Sequence, residues 1–201
     1  MTGALMAGGR SRRMGRNKAF IEVDGAAIIE RAARVLSSVF EDFFIVAGRD
    51  HVYDGLGHRV YTDIYRDAGS LGGVFTALAY AGSGACFVAA CDMPFLKAGA
   101  VRAVADAALA AGDDYDAVVP HVGGRLHPMH AVYNKTSMAL MEEMIKAREL
   151  RIGDFLKRVR VLELTEEFFD ARGVGDIAES VVNVNTAEDL ERLGREIRGD
   201  R

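Results

Sequence analysis

Tryptophan is absent from this 201-residue chain, cysteine occurs only twice, and acids outnumber bases, 29 Asp+Glu against 25 Lys+Arg. A net charge of −4, with the basic residues clustered in one segment, argues against a nucleic-acid-binding protein. No stretch of about 18 consecutive apolar residues is present, so no membrane span is indicated. Cys86 and Cys91 both fall in the strand-like run Ala85 to Cys91. They read as reduced core residues of a cytoplasmic protein, not as a disulfide or a metal pair. His127 and His130 have no Cys/His set around them, which argues against zinc. There is no Gly-x-Ser-x-Gly elbow and no paired nucleophile and base. The first strand and its loop lie at the start of the sequence and leave no room for a removable signal peptide.

The sequence does carry an unusual basic loop. Residues 5 to 18 read Leu-Met-Ala-Gly-Gly-Arg-Ser-Arg-Arg-Met-Gly-Arg-Asn-Lys, with five cations between Arg10 and Lys18 and no acid among them. The Gly8-Gly9 pair lets backbone N–H groups approach a ligand, and the cations neutralise what those donors grip. A polyphosphate is the natural guest; the plainer alternative is a strand-to-helix turn followed by a solvated basic face. The spacing from Gly9 to Gly15 and Lys18 does not fit a Walker A loop, and no Gly-x-Gly-x-x-Gly fingerprint follows the first strand.

With 201 residues, half of them hydrophobic, the chain can bury a substantial core as one domain over 1–201. Apolar runs predict strands at Thr2–Ala7, Phe43–Ala47, Arg59–Thr62, Ala85–Cys91, Asp116–Pro120, His130–Tyr133 and Val159–Leu164. Helical spacing predicts helices near 26–40, from Val74 onward after a glycine-rich loop at Gly69–Gly73, and near 97–111, 136–148 and 186–198. This alternation implies an α/β fold, a three-layer α/β/α arrangement around a mostly parallel, Rossmann-like sheet. Ligands of such sheets bind beyond the carboxyl ends of the strands, where both Gly8-Gly9 and Asp92 fall.

Asp92 directly follows the most apolar strand, so a rigid element would hold its carboxylate at the crevice. Mg²⁺ commonly takes one or two protein carboxylates and completes its shell with phosphate and water oxygens. Asp92 could instead cap the next helix; the glycine–cation loop favours the metal. Asp63 ends a strand and could meet a ribose, support a metal-bound water, or form a turn. Val182-Asn183-Val184-Asn185-Thr186 alternates apolar and polar residues, so both amides could face the site, or Asn185 and Thr186 could cap a helix.

The first loop resembles the signature of nucleotidyltransferases of the nucleotide-diphospho-sugar transferase type, with Ala7-Gly8-Gly9, Arg13-Met14-Gly15 and Lys18 in place and Met6 where leucine is usual. Three further segments follow in order: Gly69-Ser70-Leu71-Gly72-Gly73, Cys91-Asp92-Met93-Pro94 and Asn183-Val184-Asn185-Thr186. Together they resemble the molybdenum cofactor guanylyltransferase family, the molybdopterin-guanine dinucleotide biosynthesis protein A type. That resemblance implies GMP transfer from GTP to molybdopterin or its molybdenum-loaded form, with Mg²⁺ as cofactor. By the same resemblance Met6, Ala7 and Gly8 line the guanosine. The resemblance also puts Lys18 on phosphate and Asp92 on the metal; the chemistry of the loop adds Gly9, Ser11, Arg12, Arg13 and Gly15 around the triphosphate, with Arg13, Lys18 and Asp92 the catalytic candidates. Asp63, Gly72 and Gly73 lie by the nucleotide, and His127, Arg151, Asn183 and Asn185 on the acceptor side. Gly-Ser-Leu-Gly-Gly replaces the family's Gly-Pro-Leu-Ala-Gly; this departure and Met6 bear on base choice, not on reaction type. The competing expectations are cytidylyl transfer to molybdopterin, nucleotidyl transfer to a sugar phosphate, and a GTP-binding regulator without turnover. Protein partners would be molybdenum enzymes or other cofactor-biosynthesis proteins.

Overall fold

The structure is a computed structural model and describes residues 1–7, 18–23, 25–48, 51–175, 177–184 and 189. The expected helix over 186–198 therefore lies outside the described residues, apart from Asp189. β1 (Thr2–Met6) is buried along its whole length, as its apolar run requires. A two-residue hairpin, β2 (Glu22–Val23) and β3 (Ala26–Ala27), turns at Gly25 and leads into α1 (Ile28–Val39). The Glu30 carboxylate reaches back to accept the Ala27 N–H, so the helix begins two residues later than its apolar spacing suggests.

β4 (Asp42–Ala47), β5 (Arg59–Thr62), α2 (Gly69–Tyr80) and β6 (Ala85–Ala90) follow. Next come α3 (Ala98–Ala111), β7 (Ala117–Val122), β8 (Arg125–Leu126), β9 (His130–Asn134) and α4 (Met138–Lys146). α5 (Ile152–Leu156), β10 (Val161–Thr165), α6 (Glu166–Asp170) and α7 (Ile177–Ser180) complete the described elements.

The main sheet has the order β10-β7-β9-β6-β1-β4-β5, with β8 paired to β7. β1 is parallel to β4 and β6, β4 to β5, and β7 to β10; β9 runs against both β6 and β7. Every strand on that path except β9 thus points the same way, and the mostly parallel sheet is borne out. One core packs α1 and α3 against one face through Ile29, Leu36, Phe87 and Val101. A second packs α2 and α4 against the other through Phe44, Leu71, Val88 and Met141.

Two expectations change. The glycine-rich loop at 69–73 is the first part of α2: the Gly72 N–H bonds the Ala68 carbonyl, and the Gly72 carbonyl accepts the Thr76 hydroxyl. Burial overrides the poor helix propensity of glycine there. The strand begun at Asp116 runs on to Val122 and turns at Gly123-Gly124, both at positive φ, into β8. Among the described residues no helix is long and apolar enough to cross a membrane.

Candidate active site

Register brings the carboxyl ends of four parallel strands to one edge. Met6 lies opposite Val46 on one side and Ala90 on the other, and Ala47 lies opposite Thr62. Asp63 and Asp92 therefore leave the sheet at the same end, after β5 and β6, with β1 and β4 between them. The end of β1 is pinned: the Ala7 N–H donates to the Val46 carbonyl at 2.8 Å, and the Tyr53 hydroxyl to the Ala7 carbonyl at 2.9 Å. Sequence reading missed Tyr53, whose ring stacks on Phe20 just after Lys18.

Asp63 follows β5, with its N–H held by the Ala47 carbonyl. Its Oδ1 is buried with no hydrogen-bond partner among the described residues, and burial pushes its carboxyl up to about 6. The next N–H, Ile64, donates to the Thr76 hydroxyl and ties the loop to α2. Gly73 lies beneath both: a Cβ there would come 2.6 Å from Met6 Cε and 3.8 Å from Asp63 Oδ1. Gly72 faces Ala68 and Tyr65 in the same way. These glycines belong to a helix, not a loop, and let α2 pack closely behind the site.

Asp92 lies in the turn after β6. The strand exit is fixed by Ala90 N–H to Met129 carbonyl and Cys91 N–H to Met6 carbonyl, and the Asp92 carbonyl accepts the Val184 N–H at 2.9 Å. The following helix starts only at Ala98, with Lys97 at its N-cap position, so Asp92 is not that helix's cap. Among the described residues no group of three or more His, Cys, Asp or Glu is placed to hold a metal. One half-buried carboxylate on a rigid strand end nevertheless suits a hard cation whose other ligands are phosphate and water oxygens.

The acceptor-side candidates divide. Asn183 is exposed beside the buried Val184 and reaches the Asp92 turn through the Val184 N–H. Arg151 is exposed at the start of α5, and the neighbouring Leu150 carbonyl abuts Gly69 at the start of α2. His127 is buried, and its Nε2 bonds the Val122 carbonyl at 3.1 Å. Its imidazole braces the β7–β8 hairpin, and burial holds it below the usual histidine range. Gly8, Gly9, Ser11, Arg12, Arg13, Gly15 and Asn185 lie outside the described residues, as does the side chain of Lys18.

Residues 3–161 match the MobA-like NTP transferase domain. The chain belongs to the MobA-like NTP transferase family. It is 40% identical over 189 residues to a probable molybdenum cofactor guanylyltransferase of Pelotomaculum thermopropionicum, covering 94% of this chain and 89% of that one. It is 33% identical over 202 residues to the molybdenum cofactor guanylyltransferase of Desulfosudis oleivorans, covering 100% and 98%. Among solved structures it superposes on molybdopterin-guanine dinucleotide biosynthesis protein A of Archaeoglobus fulgidus with a TM-score of 0.83, at 27% identity and full coverage of both chains. The protein is thus a nucleotidyltransferase of the MobA-like family, and the site at the strand ends is its candidate active site.

Proposed function

We propose that this protein transfers GMP from GTP to the phosphate of molybdopterin or its molybdenum-loaded form, releasing pyrophosphate and leaving a guanine dinucleotide. The observation that carries the reading is the convergence of Met6, Asp63 and Asp92 at one sheet edge, with Asn183 brought to it by the Val184–Asp92 bond. The names borne by the relatives support guanine as the base and molybdopterin as the acceptor.

An ionised phosphate oxygen of the acceptor attacks the α-phosphorus of GTP, a P–O bond forms, and the bond to pyrophosphate breaks. No proton need be removed from such a nucleophile, which fits a site built to align and neutralise charge. The basic loop, with Arg12, Arg13 and Lys18, would hold the triphosphate, and Asp63 the ribose edge. Arg151 and Asn183 would face the acceptor, with Asn185 beside them and His127 bracing the wall behind. Asp92 would hold Mg²⁺, which when bound supplies positive charge against the phosphates. This reading places the protein in the cytoplasm, where GTP is available.

The test is pyrophosphate release across GTP, CTP, ATP and UTP, each alone, with molybdopterin and with a sugar phosphate. Release confined to GTP plus molybdopterin is expected. Equal release with CTP moves the protein to cytidylyl transfer, turnover only with a sugar phosphate removes it from this pathway, and GTP binding without release makes it a regulator.

A further inference from the structure

The segment around α7 makes a set of contacts with the turn that carries Asp92. Ile177, Val181 and Val184 are buried, 3%, 2% and 1% exposed, and the first two anchor the segment on the α3 face. Two polar residues between them, Ser180 and Glu179, contact Lys97 at the end of the 92–97 turn. Ser180 is fully buried, and its Oγ accepts the Lys97 N–H at 3.1 Å. Lys97 is the N-cap of α3 and supplies no side-chain cap of its own, so a residue 83 positions away caps the helix instead. Glu179 pairs with the Lys97 ammonium at 2.8 Å. At the other end of the turn the Val184 N–H holds the Asp92 carbonyl. The turn is thus gripped at both ends by one segment, with Met93 and Leu96 buried between the grips.

From this we infer that Ser180 and Glu179 are positioning residues that fix the aim of the Asp92 carboxylate. The inference rests on the reading of Asp92 as the metal-holding carboxylate. A carboxylate on a turn pinned at both ends keeps one orientation. Freed at Lys97, the turn can pivot about its remaining anchor, and a metal ligand tolerates little displacement. Partners that orient a metal ligand from behind generally have a large effect on metal affinity. The clamp also joins Asn183 to Asp92 through adjacent backbone, so the acceptor side and the metal side would move together.

The experiment is a Mn²⁺ titration of the full chain by electron paramagnetic resonance, with GTP and no acceptor, so that nothing turns over. Thermal stability and metal-free GTP binding are recorded alongside. For Ser180→Ala, Mn²⁺ affinity is expected to fall about 10-fold, with metal-free GTP binding unchanged. Ser180→Thr, which keeps the hydroxyl, restores affinity close to the parent. Glu179→Gln, at a half-exposed pair, lowers it about twofold. Loss of stability in Ser180→Ala with parental Mn²⁺ affinity would overturn the inference, leaving Ser180 a helix cap and nothing more. Should Ser180→Ala not fold, parental affinity in Glu179→Gln overturns it equally. A parent protein that binds no Mn²⁺ beside GTP defeats the metal reading of Asp92, and the inference falls with it.

Discussion

On one side of the molecule β6, β1, β4 and β5 run parallel and open their carboxyl ends into the site. On the other side β9 runs against its neighbours. The Tyr133 and His127 side chains near it bond backbone carbonyls, while both ring nitrogens of His130 are buried without a hydrogen-bond partner among the described residues. In the parallel half Asp63 Oδ1 is buried without a hydrogen-bond partner among the described residues, although burial disfavours its charge. In the mixed half the Tyr133 hydroxyl donates to the Pro128 carbonyl at 2.8 Å, and the His127 ring bonds the Val122 carbonyl. His130 is wholly buried and edge-on to Phe87, and burial pushes its imidazole down to about 3. Parallel strands cannot close with a tight turn, so their ends lead into longer connections that can bind ligands; antiparallel neighbours can turn back directly and satisfy one another. Activity should therefore be sensitive in the parallel half, and stability in the mixed half.

The largest expected effect would break that division if it failed. Asp92→Ala should lower kcat on the order of 10²-fold or more while keeping a parental Tm, because an aligned charge contact is lost and no core is opened. Near-normal turnover, with the same response to added divalent cation as the parent, would take Asp92 out of the chemistry.

Next come the helix glycines of the parallel half, whose substitution tests packing against base selection. A Cβ on Gly72 would overlap that of Ala68, which the backbone holds fixed. Gly72→Ala should therefore cost about 1–3 kcal/mol of stability by overpacking. At Gly73 the neighbour is the mobile Met6 Cε, so Gly73→Ala should cost less, and a double-mutant cycle with Met6→Leu should show coupling. A shift in GTP-over-CTP preference with no change in denaturant midpoint would restore base selection to these glycines.

In the mixed half, His130 should set part of the acid sensitivity. Its folded-state value lies below its unfolded one, so between pH 6.5 and about 3 the unfolded chain binds the extra proton. Stability is then lost as pH falls, with a limiting slope of about 1.4 kcal/mol per pH unit. His130→Phe should flatten that slope in urea titrations at pH 4 to 7 and leave kcat at neutral pH unchanged. An unaltered slope would mean that other groups carry the acid response.

The smallest effect has the opposite sign. Asp63 has a folded-state value raised from 3.8 to about 6, so its charge works against folding above that pH and ceases to as pH falls through 6 towards 4. Asp63→Asn should stabilise the unliganded protein at pH 7.5 by on the order of 1 kcal/mol, a figure discounted for its partial exposure, with the gain fading by pH 4. The same variant should weaken GTP binding. Stabilisation without weaker binding would show that the carboxylate does not meet the nucleotide.

The strand at Ala85–Cys91 was legible because a continuous apolar run is what a strand covered on both faces must have, and Asp92 was legible as the first polar group after it. The end of β1 was readable for the same reason. The segment at 69–73 misled because glycine is a weak helix former; only the nearness of Met6, Ala68 and Tyr65 shows why side chains are missing there. The reversal of β9 was not anticipated, although the short path from Leu126 to His130 and the Gly123-Gly124 turn both favour a strand that doubles back. Ser180 gave no signal, since a serine after a glutamate has no local mark of a partner 83 residues away.

What the sequence determined by itself, then, is the alternation of elements, the concentration of cations after Gly8-Gly9 and the carboxylate at the end of β6, all of which depend on neighbours in the chain. What the tertiary structure decided is the desolvation of Asp63, the neutral burial of His130, the packing role of Gly72 and Gly73, and the grip of α7 on the Asp92 turn. Those depend on burial and on contacts between residues far apart in the chain, and neither quantity exists until the sheet has closed around them.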